Sequence, residues 1–218
     1  MRSALLILSL VALSASAEER VSSPFRSEAA GNAIRRVIVD IPTGAIEIRN
    51  GSPDRLVAAG RVSRDPDGPR SRDKEQRIVN DTSVEIVLRN DEAIVQRRYG
   101  LNAQGWRAQS FTSYEVRLEL PPGVSVDVKT RAGEVSIEGR FGDIDVDLRA
   151  GEVNVRLPRK DVRELRASCR IGEVRTNIGS EIVEREGLFP GRTRYINPEG
   201  RSFVNVHTTV GEVRVTLD

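Results

Sequence analysis

The fold is decided by the stretch Asp127–Leu157, which reads DVKTRAGEVSIEGRFGDIDVDLRAGEVNVRL. A glycine, an acidic residue and a Val or Ile follow one another three times within it, and the three glycines are nine residues apart. The five copies in the whole chain begin at Gly133, Gly142, Gly151, Gly172 and Gly211. After each acidic residue, apolar and polar positions alternate. Alternation with period two is typical of a strand that has one buried and one exposed face.

The spacing of these units predicts the architecture. Gly133 and Gly151 are 18 residues apart, and Gly151 and Gly172 are 21 residues apart. Strand units that recur at such a period cannot bury an apolar face alone, but a stack of them can. We therefore predict an all-β fold, a right-handed β-solenoid whose rungs follow one another in chain order over residues 124–218.

One face of the repeats is expected to form the core, and the glycines its corners. Glycine suits a corner where a β-carbon would clash or φ is positive. Cys169 is at an inward-facing position of the alternation and is predicted to be a buried free thiol rather than a reactive one. The expected core column is Val126, Val128, Val135, Ile137, Ile144, Val146, Leu148, Val153, Val155, Ile171, Val174, Val204, Val206 and Val213.

Residues 1–17 have the pattern of a signal peptide. Arg2 precedes the apolar run Ala4–Leu13, and Ala15-Ser16-Ala17 fits a small-residue cleavage site. The run is too short to span a bilayer, and we expect no transmembrane anchor. These features predict an exported protein that is periplasmic or extracellular after cleavage.

The rest of the chain divides by pattern. Residues 18–33 lack periodicity and are interpreted as a flexible leader. Residues 34–123 are interpreted as an irregular N-terminal β region that caps one end of the solenoid. Residues 179–200 are rich in charge and turns and are interpreted as an insertion within the solenoid region.

Composition excludes one class of partner. Loss of residues 1–17 removes one of the 34 basic residues and none of the 32 acidic ones, so the charges balance. A nucleic-acid-binding protein would need a basic face, and we therefore expect no nucleic acid. Aromatic residues make up only 4% of the chain, which is low for an enzyme that stacks sugars.

The acidic residues of the repeats form the first candidate site. Glu134, Glu152, Glu173 and Glu212 are expected to form a column on the exposed face, and carboxylates are natural ligands of Ca²⁺. We favour neutralisation by Arg156, Arg175 and Arg214, because the Gly-Gly-x-Gly-x-Asp repeat of calcium-binding solenoids is missing. No cofactor is predicted, with Ca²⁺ as the alternative.

A second candidate is the triplet Asp143, Asp145 and Asp147, whose spacing puts three carboxylates on one face of a strand. Polysaccharide-cleaving enzymes use acid pairs, so a hydrolase or lyase is the enzyme alternative. We favour a charge ladder with basic residues of neighbouring rungs. His207 is expected to point outward, and no nucleophile motif accompanies it, so no catalytic residues are assigned. Trp106 is expected to pack against the sheet.

The passage Tyr114–Gly139, YEVRLELPPGVSVDVKTRAGEVSIEG, resembles a bacterial family of candidate-adhesin domains, which are exported and β-helical. The resemblance rests on Leu120-Pro121-Pro122-Gly123 followed by the repeated glycine–acid units, and it covers roughly 34–217. It implies surface adhesion and no catalytic residues.

These observations predict a non-enzymatic exported envelope protein, a binding or scaffold module of adhesin-like type. Its expected partner is an envelope polysaccharide or a protein. One alternative is a polysaccharide-acting enzyme that uses the aspartate triplet. The other is a structural protein that self-associates edge to edge through the strand Val213–Leu217, since uncovered edges invite pairing.

Overall fold

The computed structural model describes residues 20–65, 71–103, 111–178 and 191–218. The predicted signal peptide and Trp106 lie outside these ranges. The described chain is an all-β fold, a large mixed sheet that is not closed. In the described residues no helix is long and apolar enough to cross a membrane.

One sheet contains all the described strands. In chain order the elements are β1 Val21–Ala30, β2 Arg36–Asp40, β3 Thr43–Asn50, β4 Arg55–Arg64, α1 Arg72–Asn80, β5 Thr82–Arg89, β6 Glu92–Tyr99, β7 Ser113–Leu120, β8 Ser125–Glu138, β9 Ile144–Leu157, β10 Val162–Thr176, β11 Gly191–Ile196 and β12 Ser202–Leu217. Short 3-10 helices cover Leu101–Ala103 and Arg159–Asp161. The main path of the sheet is β1-β4-β7-β3-β8-β9-β12-β10-β11, with β2 beside β6 and β8, and β5 beside β6.

The four long strands bend at their repeat glycines. Each of β8, β9, β10 and β12 runs through its glycine as one continuous strand of 14, 14, 15 and 16 residues, rather than as two strands separated by a turn. The glycines have positive φ and pair in register in the order Gly133, Gly151, Gly211, Gly172. Gly142 differs, because it lies in the loop before β9 and marks the start of a repeat.

The order of the parallel strands corrects the prediction that rungs stack in chain order. β12 lies between β9 and β10 and pairs in parallel with both, so that Val213 is opposite Val153 on one side and Val174 on the other. β11 turns back along the outer edge of β10, which leaves the inner edge of β10 for β12. The expectation of self-association through Val213–Leu217 is therefore wrong, because this segment is not an edge.

Two segments predicted to be irregular contain strands. The expected leader, residues 18–33, holds β1, which pairs antiparallel with β4 from Val21 opposite Arg64 to Ala30 opposite Arg55. Within the expected insertion 179–200, β11 pairs antiparallel with β10. Residues 179–190 lie outside the described ranges.

The predicted core column is buried in β8, β9 and β12. Ile171 is an error in the prediction, since it is 53% exposed, and Val174 is only partly buried. β9 shows the reason. Leu148 and Val153 are five positions apart, which strict alternation would put on opposite faces, yet both point inward. The bend shifts the alternation by one residue, which turns Ile171 outward. Cys169, before the bend, is buried as predicted.

Candidate functional site

The parallel strands align their outward side chains in rows that cross the sheet. The central row runs from β8 to β11 in the order Asp127, Asp145, Asn205, Arg166, Arg194. Neighbouring strands are about 4.8 Å apart, so the row extends over roughly 19 Å. It is acidic at the β8 end and basic at the β11 end.

A groove of about 610 Å³ lies along this row and the row beside it. This is within the size range of small-ligand sites, about 300–1,000 Å³. We call it the charged groove, and the side chains that define it are Arg36, Asp127, Asp143, Asp145, Glu164, Arg166, Phe203 and Asn205.

Asp127 forms the floor of the acidic end. Its side chain points outward from β8, as its place between Val126 and Val128 requires, yet the residue is only 4% exposed. Arg36 on β2 donates from Nη2 to Oδ2 at 2.8 Å, and the Lys129 ammonium is 3.5 Å from the same oxygen. Within the described structure, Oδ1 is buried and has no hydrogen-bond partner.

Asp143, in the loop before β9, and Asp145, on β9, are exposed and receive neutral donors from β12. The backbone N–H of Phe203 donates to Asp143 Oδ1 at 2.9 Å, and the Asn205 amide donates to Asp145 Oδ1 at 2.7 Å. Within the described residues neither aspartate takes part in an ion pair. The position of β12 is the cause, because it places Asn205 between Asp145 and Arg166.

The basic end is organised by Glu164. Its Oε1 accepts hydrogen bonds from Arg166 Nε at 2.8 Å and Arg194 Nε at 3.0 Å. The hydrogen bond from Arg166, with a further one from Arg194, holds the pKa of the Glu164 carboxyl below its usual range. These contacts tie β11 to β10.

Phe203 provides an apolar surface beside these charges. Its side chain is 47% exposed in the groove. Val162 pairs with Ser202 and Glu164 with Phe203, so Arg163 is the extra residue of a β-bulge. Its guanidinium carbon is 5.6 Å from the centre of the Phe203 ring. Bulges commonly re-aim side chains in this way.

The next row places Lys129 opposite Asp147, Asp147 opposite His207, and His207 opposite Ser168. Ser168 Oγ and His207 Nδ1 are 3.0 Å apart. Outward neighbours on adjacent strands lie about 4.5–5.5 Å apart at Cβ, so register alone accounts for this contact. Asp147 belongs to this row and does not line the charged groove, whereas Asp143 and Asp145 do.

The glutamate column lies beyond the bend, on the second outward face. Its spatial order is Glu134, Glu152, Glu212, Glu173, because β12 precedes β10 in the sheet. It is separate from the charged groove.

Two of the three predicted arginines pair with this column. Arg214 is 2.7 Å from Glu212, and Arg175 is 2.8 Å from Glu173 and 3.6 Å from Glu212. The hydrogen bond with Glu173 raises the pKa of Arg175. The prediction for Arg156 is wrong, since it contacts Glu138 and Asp218 instead. Among the described residues, no cluster of three or more His, Cys, Asp or Glu is placed to hold a metal ion.

Sequence reasoning missed five residues of the charged groove: Arg36, Asp127, Glu164, Asn205 and Phe203. The alternation correctly turns Asp127 outward, but its burial depends on a partner 91 positions away in the chain. Asn205 and Phe203 reach the groove only because β12 lies next to β9. The one local signal was an aromatic residue at an outward position, Phe203.

No protein-family model matches the chain, and no curated protein matches it. Among solved structures, a candidate cell adhesion protein from Clostridium sporogenes ATCC 15579 is similar with a TM-score of 0.47 and 13% identity, over 90% of this chain and 100% of that one. A candidate adhesin from Bacteroides fragilis NCTC 9343 is similar with a TM-score of 0.26 and 6% identity, over 90% and 97% of the two chains. At these identities the comparison says nothing about the side chains of the charged groove.

Proposed function

We propose that the chain is a non-enzymatic, exported binding module of adhesin-like type, which holds an envelope polysaccharide or protein in the charged groove. The observation that carries this proposal is the register of Asp127 and Asp145, two carboxylates directly opposite each other on adjacent strands. Like charges at such positions destabilise a sheet. Arg36 and Lys129 pair with Asp127, but Asp145 accepts only from the neutral Asn205 amide in the described structure. Positions that break a rule of local stability are typically functional ones.

The distribution of charge supports a ligand rather than a purely structural ladder. A structural ladder would alternate opposite charges between neighbouring strands. In the central row the acidic residues, Asp127 and Asp145, are on β8 and β9, whereas Arg166 and Arg194 lie on β10 and β11. Glu164, beside that row on β10, accepts hydrogen bonds from both arginines. A ligand that crosses the strands would meet carboxylates at one end and guanidinium groups at the other.

The scaffold also suits a binding site. The repeat predicts a β-solenoid, and within this proposal the bent strands serve as its rungs. Every groove residue except Arg36 lies on β8, β9, β10, β12 or the loop before β9. Sites built on strands hold their side chains more closely than sites on loops.

The aspartate triplet fits binding better than glycoside cleavage. Glycoside hydrolysis uses two carboxyl groups that flank the scissile bond from opposite sides. Asp143, Asp145 and Asp147 are exposed on one side of one strand and its leading loop. They can line a ligand but cannot enclose a bond between them.

Co-sedimentation with purified envelope fractions tests the proposal. Residues 18–218 are compared as wild type, as Asp145→Asn and as Asp147→Asn, each in calcium and in chelator. Asp147 is the matched control, because it is exposed on the same strand and lies outside the charged groove. We expect the wild type and Asp147→Asn in the pellet and Asp145→Asn mainly in the supernatant. Wild type in the supernatant, or equal retention of all three, would refute the proposal.

A further inference from the structure

We propose that the ligand of the charged groove is an amino sugar, a saccharide with a free amine whose ammonium group lies between Asp127 and Asp145. This inference rests on the proposed function and names its ligand class.

The first support is the buried oxygen of Asp127. Oδ2 is held by Arg36, but Oδ1 is buried and has no partner within the described structure. A buried acceptor without a donor costs free energy. Asp127 lines the groove, but Oδ1 itself has almost no accessible surface, so a ligand there supplies the missing donor only with a rotation of the carboxylate that brings Oδ1 to the groove.

The second support is the sign of the charge. Asp143 and Asp145 accept from an N–H and an amide, which leaves both carboxylate charges without a cation in the described structure. A carboxylate or phosphate ligand would be repelled at this end. A cation is favoured, and an ammonium group with three donors can satisfy Asp127 and Asp145 together. A metal ion fits less well, since the described residues contain no three-ligand cluster.

The third support distinguishes a sugar from a simple amine. Phe203 offers an exposed ring next to Asp143, and Arg163 lies 5.6 Å from that ring. An aromatic ring can cover an apolar face, while Asn205 and Arg166 present polar groups for hydroxyls. A saccharide combines an amine, hydroxyls and an apolar C–H face in one unit.

Isothermal titration with two matched disaccharides tests this inference. The probes are the β-1,4-linked glucosamine disaccharide and its N,N′-diacetylated form, which differ in the charge of the amine. A charge-assisted hydrogen bond contributes roughly a tenfold change in affinity or more. We expect acetylation to weaken binding about tenfold or more, and Asp145→Asn and Asp127→Asn to do the same, with Asp147→Asn unchanged. Should Asp127→Asn fail to fold, Asp145→Asn decides.

Three results would overturn the inference: equal binding of both disaccharides, no binding of either, or equally tight binding of trilysine, which would show a generic cation site. The ligand class and the binding module can be refuted separately. Envelope sedimentation that is lost in Asp145→Asn, together with no glucosamine binding, refutes the amino sugar and leaves the binding module. Loss of both wild-type sedimentation and glucosamine binding refutes the two together.

Discussion

A β-carbon placed on Gly151 would lie 1.8 Å from the carbonyl oxygen of Gly133, its in-register neighbour on β8. The same 1.8 Å separation recurs between Gly211 and Gly151 and between Gly172 and Gly211. No side chain fits at such a distance, so the bend of each strand depends on the absence of a β-carbon. The bend at the glycines thus divides the exposed side of these strands into two faces. The charged groove lies on one face and the glutamate column on the other.

Gly151→Ala is expected to destabilise the protein by at least about 3 kcal/mol, because it adds a steric clash to the strain of a positive φ. Gly123→Ala is the matched control. Gly123 also has a positive φ, 84°, but a β-carbon there would meet nothing within 4 Å, so we expect about 1–2 kcal/mol. Urea unfolding measures both. Equal losses would show that φ alone, and not the close approach, requires glycine.

Glu75→Ala is expected to cost about 3–5 kcal/mol, since it removes the carboxylate from a buried ion pair. Arg64 Nε donates to Glu75 Oε2 at 2.6 Å and Nη1 donates to Thr112 Oγ1 at 2.9 Å, which joins β4, α1 and the start of β7. Glu28→Ala breaks the exposed pair with Arg26 and should cost under about 1 kcal/mol. Similar denaturation midpoints for the two variants would contradict this ranking.

Cys169 is expected to react slowly with a thiol reagent in the native protein and rapidly after unfolding. Burial raises the pKa of its thiol, while backbone hydrogen bonds to the sulfur act in the opposite direction. The thiol itself donates from Sγ to the Gly211 carbonyl at 3.2 Å, and a bond of this direction favours the neutral form. The folded state therefore favours the neutral thiol. This contribution to stability is fully present below the unfolded pKa, about 8.5, and is lost as the pH rises through the folded pKa.

Unfolding of the wild type and of Cys169→Ala between pH 7 and pH 10 measures that change. The wild type should lose stability relative to the variant as the pH rises. Rapid labelling of the folded wild type at pH 8 would refute the assignment.

Glu164 is expected to titrate below the ordinary glutamate value of about 4.3. A lowered folded pKa stabilises the protein above the unfolded pKa, and this is lost as the pH falls through the folded pKa. The effect on stability should be small because both partners, Arg166 and Arg194, are exposed and solvent screens their charges. NMR titration of the carboxyl carbon gives the midpoint directly. Arg166→Ala should raise it more than Arg194→Ala, because the Arg166 hydrogen bond is the larger cause. A wild-type midpoint at or above 4.3 would contradict the expectation.

Local pattern predicted much of the strand structure. Val153 and Val155 alternate with polar neighbours, and this period is enough to place both in the core. It fails at Ile171, because the bend shifts the alternation, and a period count contains no bend. It also fails for β1, whose sequence contains Pro24 and polar residues and whose strand depends on pairing with β4.

The candidate site was less accessible to such reasoning. Similar repeats can stack in several orders, and nothing local distinguishes the place of β12 from that of β10. Asn205 next to Asp145 is a consequence of that order. The partner of Asp127 is likewise set by the pairing of β2 with β8, which brings Arg36 beside it. Long-range strand pairing therefore determines which residues line the groove, whereas local alternation determines which residues are in the core.

The place of β12 also constrains how the chain is made. β9 and β10 leave the ribosome before β12, yet each needs β12 to satisfy one of its edges. During synthesis both must wait with backbone N–H and C=O groups uncovered, a state that invites pairing with other chains. The repeats therefore cannot join the sheet in the order in which they are synthesised. Their assembly ends with an internal strand, so β9 and β10 each complete their pairing only when β12 has joined them.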